Sequence, residues 1–193
     1  MKKVWIALFL FSFVQLTAFS QRVEDFELKD AVSEKMFRLS EHSLDKAVVL
    51  IFTSLNCPFS KLYEDRIMAL HQEFGEDGFM FAMVNPHSSI EAEEGAGYMK
   101  ARASEKGFKF PFLEDPEQLV TRQFEVTKLP EVVVITPSPT GYSIAYRGAI
   151  DNNPQLASSA NLKYLESALH AIQARRNPSP SSSRPVGCNV RLR

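Results

Sequence analysis

From Ala47 to Thr53 the chain reads Ala-Val-Val-Leu-Ile-Phe-Thr, with no charge and four β-branched residues. An uninterrupted apolar run of that length predicts a strand covered on both faces. Between Pro58 and Phe74 the apolar residues Leu62, Ile67, Met68, Leu70 and Phe74 recur close to helical spacing. Phe79 to Val84 is a second apolar run, so strand, helix and strand form a βαβ unit with a parallel pair. Upstream, Asp25–Leu28 and Lys35–Leu39 alternate like short strands around a turn, which predicts a β-hairpin. Downstream, Asn85–Ser89 is a polar loop, and Ile90–Lys106 is helical with interruptions at Gly95 and Gly97. Phe108–Leu113 reads as a short strand. Asp115-Pro116-Glu117 opens a helix to about Phe124, with Asp115 as cap and Pro116 in the first turn. Val132–Thr136 and Tyr142–Tyr146 form an antiparallel pair around the turn Pro137–Gly141. Leu162, Leu165, Leu169 and Ile172 line one face of a last helix, Asn161–Ala174. The class is α/β, with no internal repeat.

The ends differ in composition from this core. Lys2 and Lys3 precede an apolar stretch, Val4–Val14, too short to span a bilayer comfortably, and Ala18-Phe19-Ser20 offers small residues before a cut. Residues 1–20 therefore read as a cleavable signal peptide, 21–176 as one domain, and 177–193 as a flexible Ser/Pro-rich tail carrying Cys188. The expected location is the periplasm or the exterior, where disulfides form and persist. With 45% hydrophobic and 23% charged residues a packed core is accessible. The net charge is -1, and -3 once Lys2 and Lys3 are removed, which points to neither nucleic acid nor a membrane surface as partner. The single tryptophan, Trp5, leaves with the signal.

Chemistry centres on Cys57. It follows the buried strand and the loop Thr53-Ser54-Leu55-Asn56, and Pro58 begins a helix directly behind it. A thiol at a helix N-terminus meets aligned N–H dipoles that favour thiolate, the nucleophilic form. The alternative is a cysteine that only fills space. Ser54 and Ser60 are candidate hydrogen-bond donors to the sulfur, Lys61 adds charge one turn on, and Arg66 pairs with Glu64 or Asp115 or reaches the thiolate. Cys188 is a candidate resolving thiol. The ~12 residues between Arg176 and Cys188 reach on the order of 40 Å at about 3.3–3.6 Å per residue. A static disulfide and two unconnected thiols are the other readings. Glu91, Glu93 and Glu94 read as a solvated helix face, Asp151-Asn152-Asn153-Pro154 as a turn, and the scattered His42, His71, His87 and His170 as inert. No metal or other cofactor is expected.

Several segments in this order resemble the thioredoxin-like superfamily, in particular its redoxin branch with the alkyl hydroperoxide reductase/thiol-specific antioxidant group. They are Asp25-Phe26-Glu27-Leu28-Lys29-Asp30, Asn56-Cys57-Pro58 with Tyr63 and Arg66, Phe110-Pro111-Phe112-Leu113-Glu114-Asp115, Leu129-Pro130-Glu131, and Tyr146-Arg147-Gly148-Ala149-Ile150-Asp151. Pro185-Val186-Gly187-Cys188 resembles the tail of an exported redoxin group. The resemblance implies a central mixed β-sheet flanked by helices. It also implies a cis Leu129-Pro130 peptide facing the reactive cysteine, so that Leu129 and Pro130 join Ser54 and Ser60 as substrate-binding candidates; an ordinary trans proline at a strand start is the alternative.

The departures are informative. Ser60 stands where thioredoxins carry their second cysteine, and Ile51 where they often bury a carboxylate. Leu50 replaces a proline of the peroxiredoxin pattern, and Lys128 stands near the place of its arginine. Three functions compete. The first is a thiol–disulfide oxidoreductase acting on protein or small-molecule disulfides with an external thiol reductant. The second is a thiol peroxidase, and the third a non-catalytic interaction module.

Overall fold

The structure is a computed structural model that describes residues 22–193; the expected signal peptide lies outside the described residues. The chain begins with the short strands β1 (Arg22–Val23), β2 (Glu27–Asp30) and β3 (Met36–Arg38). The unit β4 (Ala47–Phe52), α1 (Pro58–Phe74) and β5 (Phe79–Asn85) comes next, then α2 (Ala96–Lys106) and β6 (Phe112–Glu114). The second half holds α3 (Leu119–Gln123), β7 (Lys128–Leu129), β8 (Glu131–Ser138), β9 (Gly141–Gly148), α4 (Tyr164–Gln173) and β10 (Cys188–Asn189). Eight strands form one mixed sheet in the order β1-β9-β8-β4-β5-β6-β2-β3, while β7 and β10 pair separately. β4 is parallel to β5 and antiparallel to β8, and β5 is parallel to β6. The expected hairpin forms from β2 and β3 and extends the sheet through β6.

β4 has no polar face because alternate side chains enter two cores. Ala47, Val49 and Ile51 pack with Tyr63, Ile67 and Phe74 of α1, Met99 of α2 and Leu165 and Leu169 of α4. Val48, Leu50 and Phe52 pack with Phe37, Leu39, Val120 and Phe124. Fully burying such a side chain contributes about 1.5–3 kcal/mol, so the carboxyl end of β4 is a rigid base for the loop that carries Cys57. Among the described residues no helix is long and apolar enough to cross a membrane.

Three helices start later than their periodicity predicts, each for a local reason. The helix expected from Ile90 is a 3-10 turn, Ala92–Glu94, then an extended Gly95, and only then α2. The helix expected from Asp115 begins at Leu119, because Gln118 adopts a left-handed conformation with φ 57°. Asp115 still caps it from outside: its Oδ2 accepts from the Thr121 N–H at 2.8 Å and the Thr121 hydroxyl at 2.6 Å. The last helix begins at Tyr164, since Asn161 and Leu162 are hydrogen-bonded to Asn152.

The tail departs most from expectation. A flexible tether is expected over 177–185, but the segment lies extended against the end of β9. The Arg147 N–H donates to the Ser181 carbonyl and the Ser183 N–H to the Arg147 carbonyl, both at 3.0 Å. Ser183 Oγ accepts from the Ala149 N–H at 2.9 Å and lies 2.6 Å from the Tyr146 hydroxyl. Tyr146 already donates to the Ala149 carbonyl, so Ser183 is the donor to Tyr146. Gly148, at φ 139°, lies against the Ser183 backbone where any Cβ would collide. A Ser/Pro segment builds neither helix nor core, but an open strand edge satisfies its backbone groups.

Candidate active site

Cys57 occupies the cap position of α1, in extended conformation, with Pro58 in the first helical turn. The loop from β4 to Cys57 is held by a carboxylate from elsewhere in the chain. Glu94 is fully buried. Its Oε1 accepts from the Ser54 hydroxyl at 2.5 Å and the Asn56 N–H at 2.9 Å. Its Oε2 accepts from the Leu55 N–H at 2.8 Å and from Asn85 Nδ2 at 3.0 Å. Four donors compensate the loss of water, which makes this buried group tolerable and the loop stiff. Glu91 accepts from Asn56 Nδ2 at 2.7 Å on the rim, and that bond together with Arg191 holds the Glu91 carboxyl below the usual carboxylate range.

Reading the acidic cluster as a solvated face is therefore wrong for Glu94. The break at Gly95 ends the helical register and turns the Glu94 side chain inward. Gly95 was the one signal in the sequence. The site's carboxylate is thus Glu94, arriving from the strand–helix crossover, and Ile51 stays in the core as expected.

Cys57 and Cys188 form a disulfide with Cα atoms 6.0 Å apart. Cys57 is only 3% exposed: it belongs to the buried cluster that holds Phe52, Val120 and Leu129, and Cys188 and Val190 of the tail pack against that cluster. Its Sγ lies 3.3 Å from the Leu129 carbonyl oxygen. A disulfide sulfur has no proton to donate, so this contact records direction: the sulfur faces the turn at Pro130. The Leu129-Pro130 peptide is cis, and both residues are buried. Ser54 and Ser60 do not face the sulfur as donors. Ser54 donates to Glu94, and Ser60 Oγ accepts from the Ser54 N–H at 3.4 Å, tying the first turn of α1 to the loop. Lys61 is exposed at the rim beside Leu55, Asn56 and Tyr98.

Arg66 pairs with none of its expected partners. It binds Asp151 at 2.6 Å and the carbonyls of Asn153 and Pro154. Asp151 also accepts from the Tyr63 hydroxyl at 2.8 Å, and burial together with that bond keeps the Tyr63 hydroxyl well above its usual range. Glu64 pairs instead with Arg102 at 2.6 Å. The turn at Asp151 is thus an anchor between α1 and the carboxyl-terminal half, away from the sulfur.

The tail crosses the site as a strand. Cys188 lies opposite Leu129 and Asn189 opposite Lys128, antiparallel. Val190 N–H donates to the Thr127 carbonyl at 3.0 Å, and Lys128 Nζ reaches Asn189 Oδ1 at 2.6 Å. Farther along, His87 Nε2 accepts from the Arg191 N–H at 3.0 Å. That ring is therefore neutral with its proton on Nδ1. Burial pushes it below the ordinary histidine value, Glu94 and Glu91 opposing and Arg191 adding to the shift.

A cysteine pair, Cys57 buried and Cys188 partly so, thus sits on a βαβ core and faces a cis-proline turn. The alkyl hydroperoxide reductase/thiol-specific antioxidant (AhpC/TSA) family matches residues 19–151. The chain belongs to the AhpC/TSA family. No curated protein matches it. Among solved structures, this AhpC/TSA chain is similar to a protein of Sinorhizobium meliloti described only as hypothetical, with 22% identity, a TM-score of 0.80 and coverage of 89% of this chain and 93% of the other. It is also similar to peroxidoxin BcpB of Mycobacterium tuberculosis, with 22% identity, a TM-score of 0.57 and coverage of 80% and 95%. The exposed lipoprotein thioredoxin of Streptococcus pneumoniae aligns with 21% identity, a TM-score of 0.54 and coverage of 64% and 87%. At these identities the three show the thioredoxin-like fold of the AhpC/TSA chain and nothing finer.

Proposed function

We propose that this AhpC/TSA protein is an exported thiol–disulfide oxidoreductase in which Cys57 is the nucleophile and Cys188 the resolving thiol. The observation that carries the reading is the Cys57–Cys188 disulfide laid on the backbone of Leu129. A tail cysteine paired to a helix-cap cysteine across 131 residues is the oxidised half of a two-thiol cycle. A disulfide also suits the oxidising compartment that the amino-terminal segment predicts.

In the reduced state the Cys57 thiolate attacks one sulfur of a substrate disulfide. A Cys57–substrate disulfide forms as the other substrate cysteine leaves as thiolate. The Cys188 thiolate then attacks Cys57, the Cys57–Cys188 bond forms, and the first substrate cysteine leaves as thiolate. Both substrate thiolates take protons from solvent. Two electrons have passed to the substrate, and an external dithiol returns them. The N-terminus of α1 stabilises the Cys57 thiolate in this cycle.

Insulin-disulfide reduction and peroxide consumption, measured side by side with a dithiol reductant, test the proposal. Disulfide reduction is expected to be lost in Cys57→Ala and to slow in Cys188→Ser. Faster peroxide consumption than disulfide reduction transfers the assignment to a thiol peroxidase. Full retention of both activities in Cys57→Ala leaves only the interaction-module reading. Alkylation rate against pH adds an independent check, with a Cys57 pKa below the ~8.5 of free cysteine expected.

A further inference from the structure

The last seven residues sit in a groove that holds chiefly their main chain. Gln118 is fully buried, and both ends of its amide contact the tail. Its Nε2 donates to the Arg191 carbonyl at 2.8 Å and its Oε1 accepts from the Arg193 N–H at 2.9 Å. The same residue has a left-handed backbone with φ 57°. His87 accepts the Arg191 N–H, the Thr127 carbonyl accepts the Val190 N–H, and β7 pairs with Cys188 and Asn189. Recognition through main chain admits any extended polypeptide in this register.

Three positions restrict which one. A Cβ at Gly187 would collide with the Leu129 carbonyl and crowd the Pro130 nitrogen. Those are backbone atoms fixed by the turn, so the residue before the cysteine must be glycine. Three residues after the cysteine, Arg191 pairs with Glu91, and two further on Arg193 donates to the Ser89 carbonyl at 2.7 Å.

Resting on the oxidoreductase reading above, we propose that this groove is a recognition site for an extended, cysteine-bearing segment of another polypeptide. Its preferred sequence is Gly-Cys with a basic residue three positions after the cysteine, and residues 187–193 are its internal copy. The partner docks only once Cys57–Cys188 is reduced and the tail has left. When Cys188 attacks Cys57, the returning tail takes back the same hydrogen bonds and expels the reduced partner strand for strand. Substrate release and resolution are one event.

The test uses the full chain with Cys188→Ser, reduced, and a synthetic peptide of residues 184–193 whose cysteine is joined in a disulfide to thionitrobenzoate. Attack by Cys57 on the peptide sulfur forms the Cys57–peptide disulfide and releases the coloured thiolate, which is timed. The Gly187→Ala peptide is expected to react at least about tenfold more slowly, as a methyl must be forced against backbone. An Arg191→Glu peptide is expected to slow by less, and Gln118→Ala in the protein to narrow the gap between parent and Gly187→Ala peptides. Equal rates for the parent and Gly187→Ala peptides overturn the proposal. Reaction of Cys57 with a small aromatic disulfide is measured in parallel: a fast reaction there with no peptide preference removes the groove and leaves the nucleophile, while a slow reaction with every disulfide removes the oxidoreductase reading itself. The wild-type chain, reduced by a phosphine, freed of it and then reoxidised by oxidised glutathione with either unlabelled peptide present as competitor for closure of Cys57–Cys188, provides the same comparison without the variant.

Discussion

Glu94 is the residue on which the position of Cys57 depends. It replaces water for the N–H groups of Leu55 and Asn56 and for the Ser54 hydroxyl, and it is fully buried. Glu94→Ala leaves those donors without a partner, and a loss of about 2–4 kcal/mol is expected from buried unsatisfied groups. Denaturant unfolding measures it, and an unchanged midpoint would contradict the loop-anchor role. Sequence order hid this residue because its partners lie 38 to 40 positions away. His87 was hidden in the same way. As a neutral acceptor it holds the tail, and its pKa is lowered on folding. A histidine with a depressed folded pKa supports the fold above its unfolded value of about 6.5. That support fades as pH falls below this value and through the lowered folded one. Protonation removes the acceptor for Arg191 while Glu91 and Glu94 face the ring and Arg191 stands beside it. Protection of the amides of residues 190–193 against hydrogen exchange, taken relative to the intrinsic rate at each pH, should therefore fall on acidification below about pH 6.5, earlier than protection in β4; a parallel fall in both would point to global loosening instead.

Among the elements, β4, α1 and β5 were legible because period and burial agree over six or more residues: the apolar run of β4 is what a strand covered twice must look like. α3 was misplaced because Gln118 adopts a left-handed conformation directly before it, which its residue type does not announce, while its side chain binds Pro86 and the tail. The tail was misread for a related reason. Ser/Pro composition specifies that no helix forms, and it says nothing of an unpaired strand edge waiting at Arg147. That anchorage alters the reach of Cys188. Ser183 is fastened to Tyr146 and Ala149, so only Arg184–Cys188 is free to swing once the disulfide opens. Five residues span about 17 Å at most, far less than an unanchored tail.

For the molecule as a whole, the disulfide closes most of the described chain into one loop. With Cys57 and Cys188 separated by 131 residues, the chain-entropy relation assigns such a link on the order of 5 kcal/mol. For a chain of this size that corresponds to a fall of roughly 10–20 °C in Tm on reduction. Calorimetry with and without a phosphine reductant measures it, and coincident transitions would mean that the link is absent in solution. The fold itself was readable to the level of a thioredoxin-like α/β sheet because its centre obeys simple burial rules. Of the site, the sequence pointed to Cys57 and Cys188, and the family resemblance to the cis turn at Leu129-Pro130. Its remaining parts are supplied by residues whose meaning exists only after the chain has folded.

The bond between Ser54 and Glu94 has one more implication. It ties two stretches of sequence that no local pattern connects, the crossover into α2 and the approach to α1. Replacing either residue leaves a buried polar group of the other without this partner. Ser54, which in isolation resembles a helper of the sulfur, is better understood as one half of a clasp whose other half is acidic.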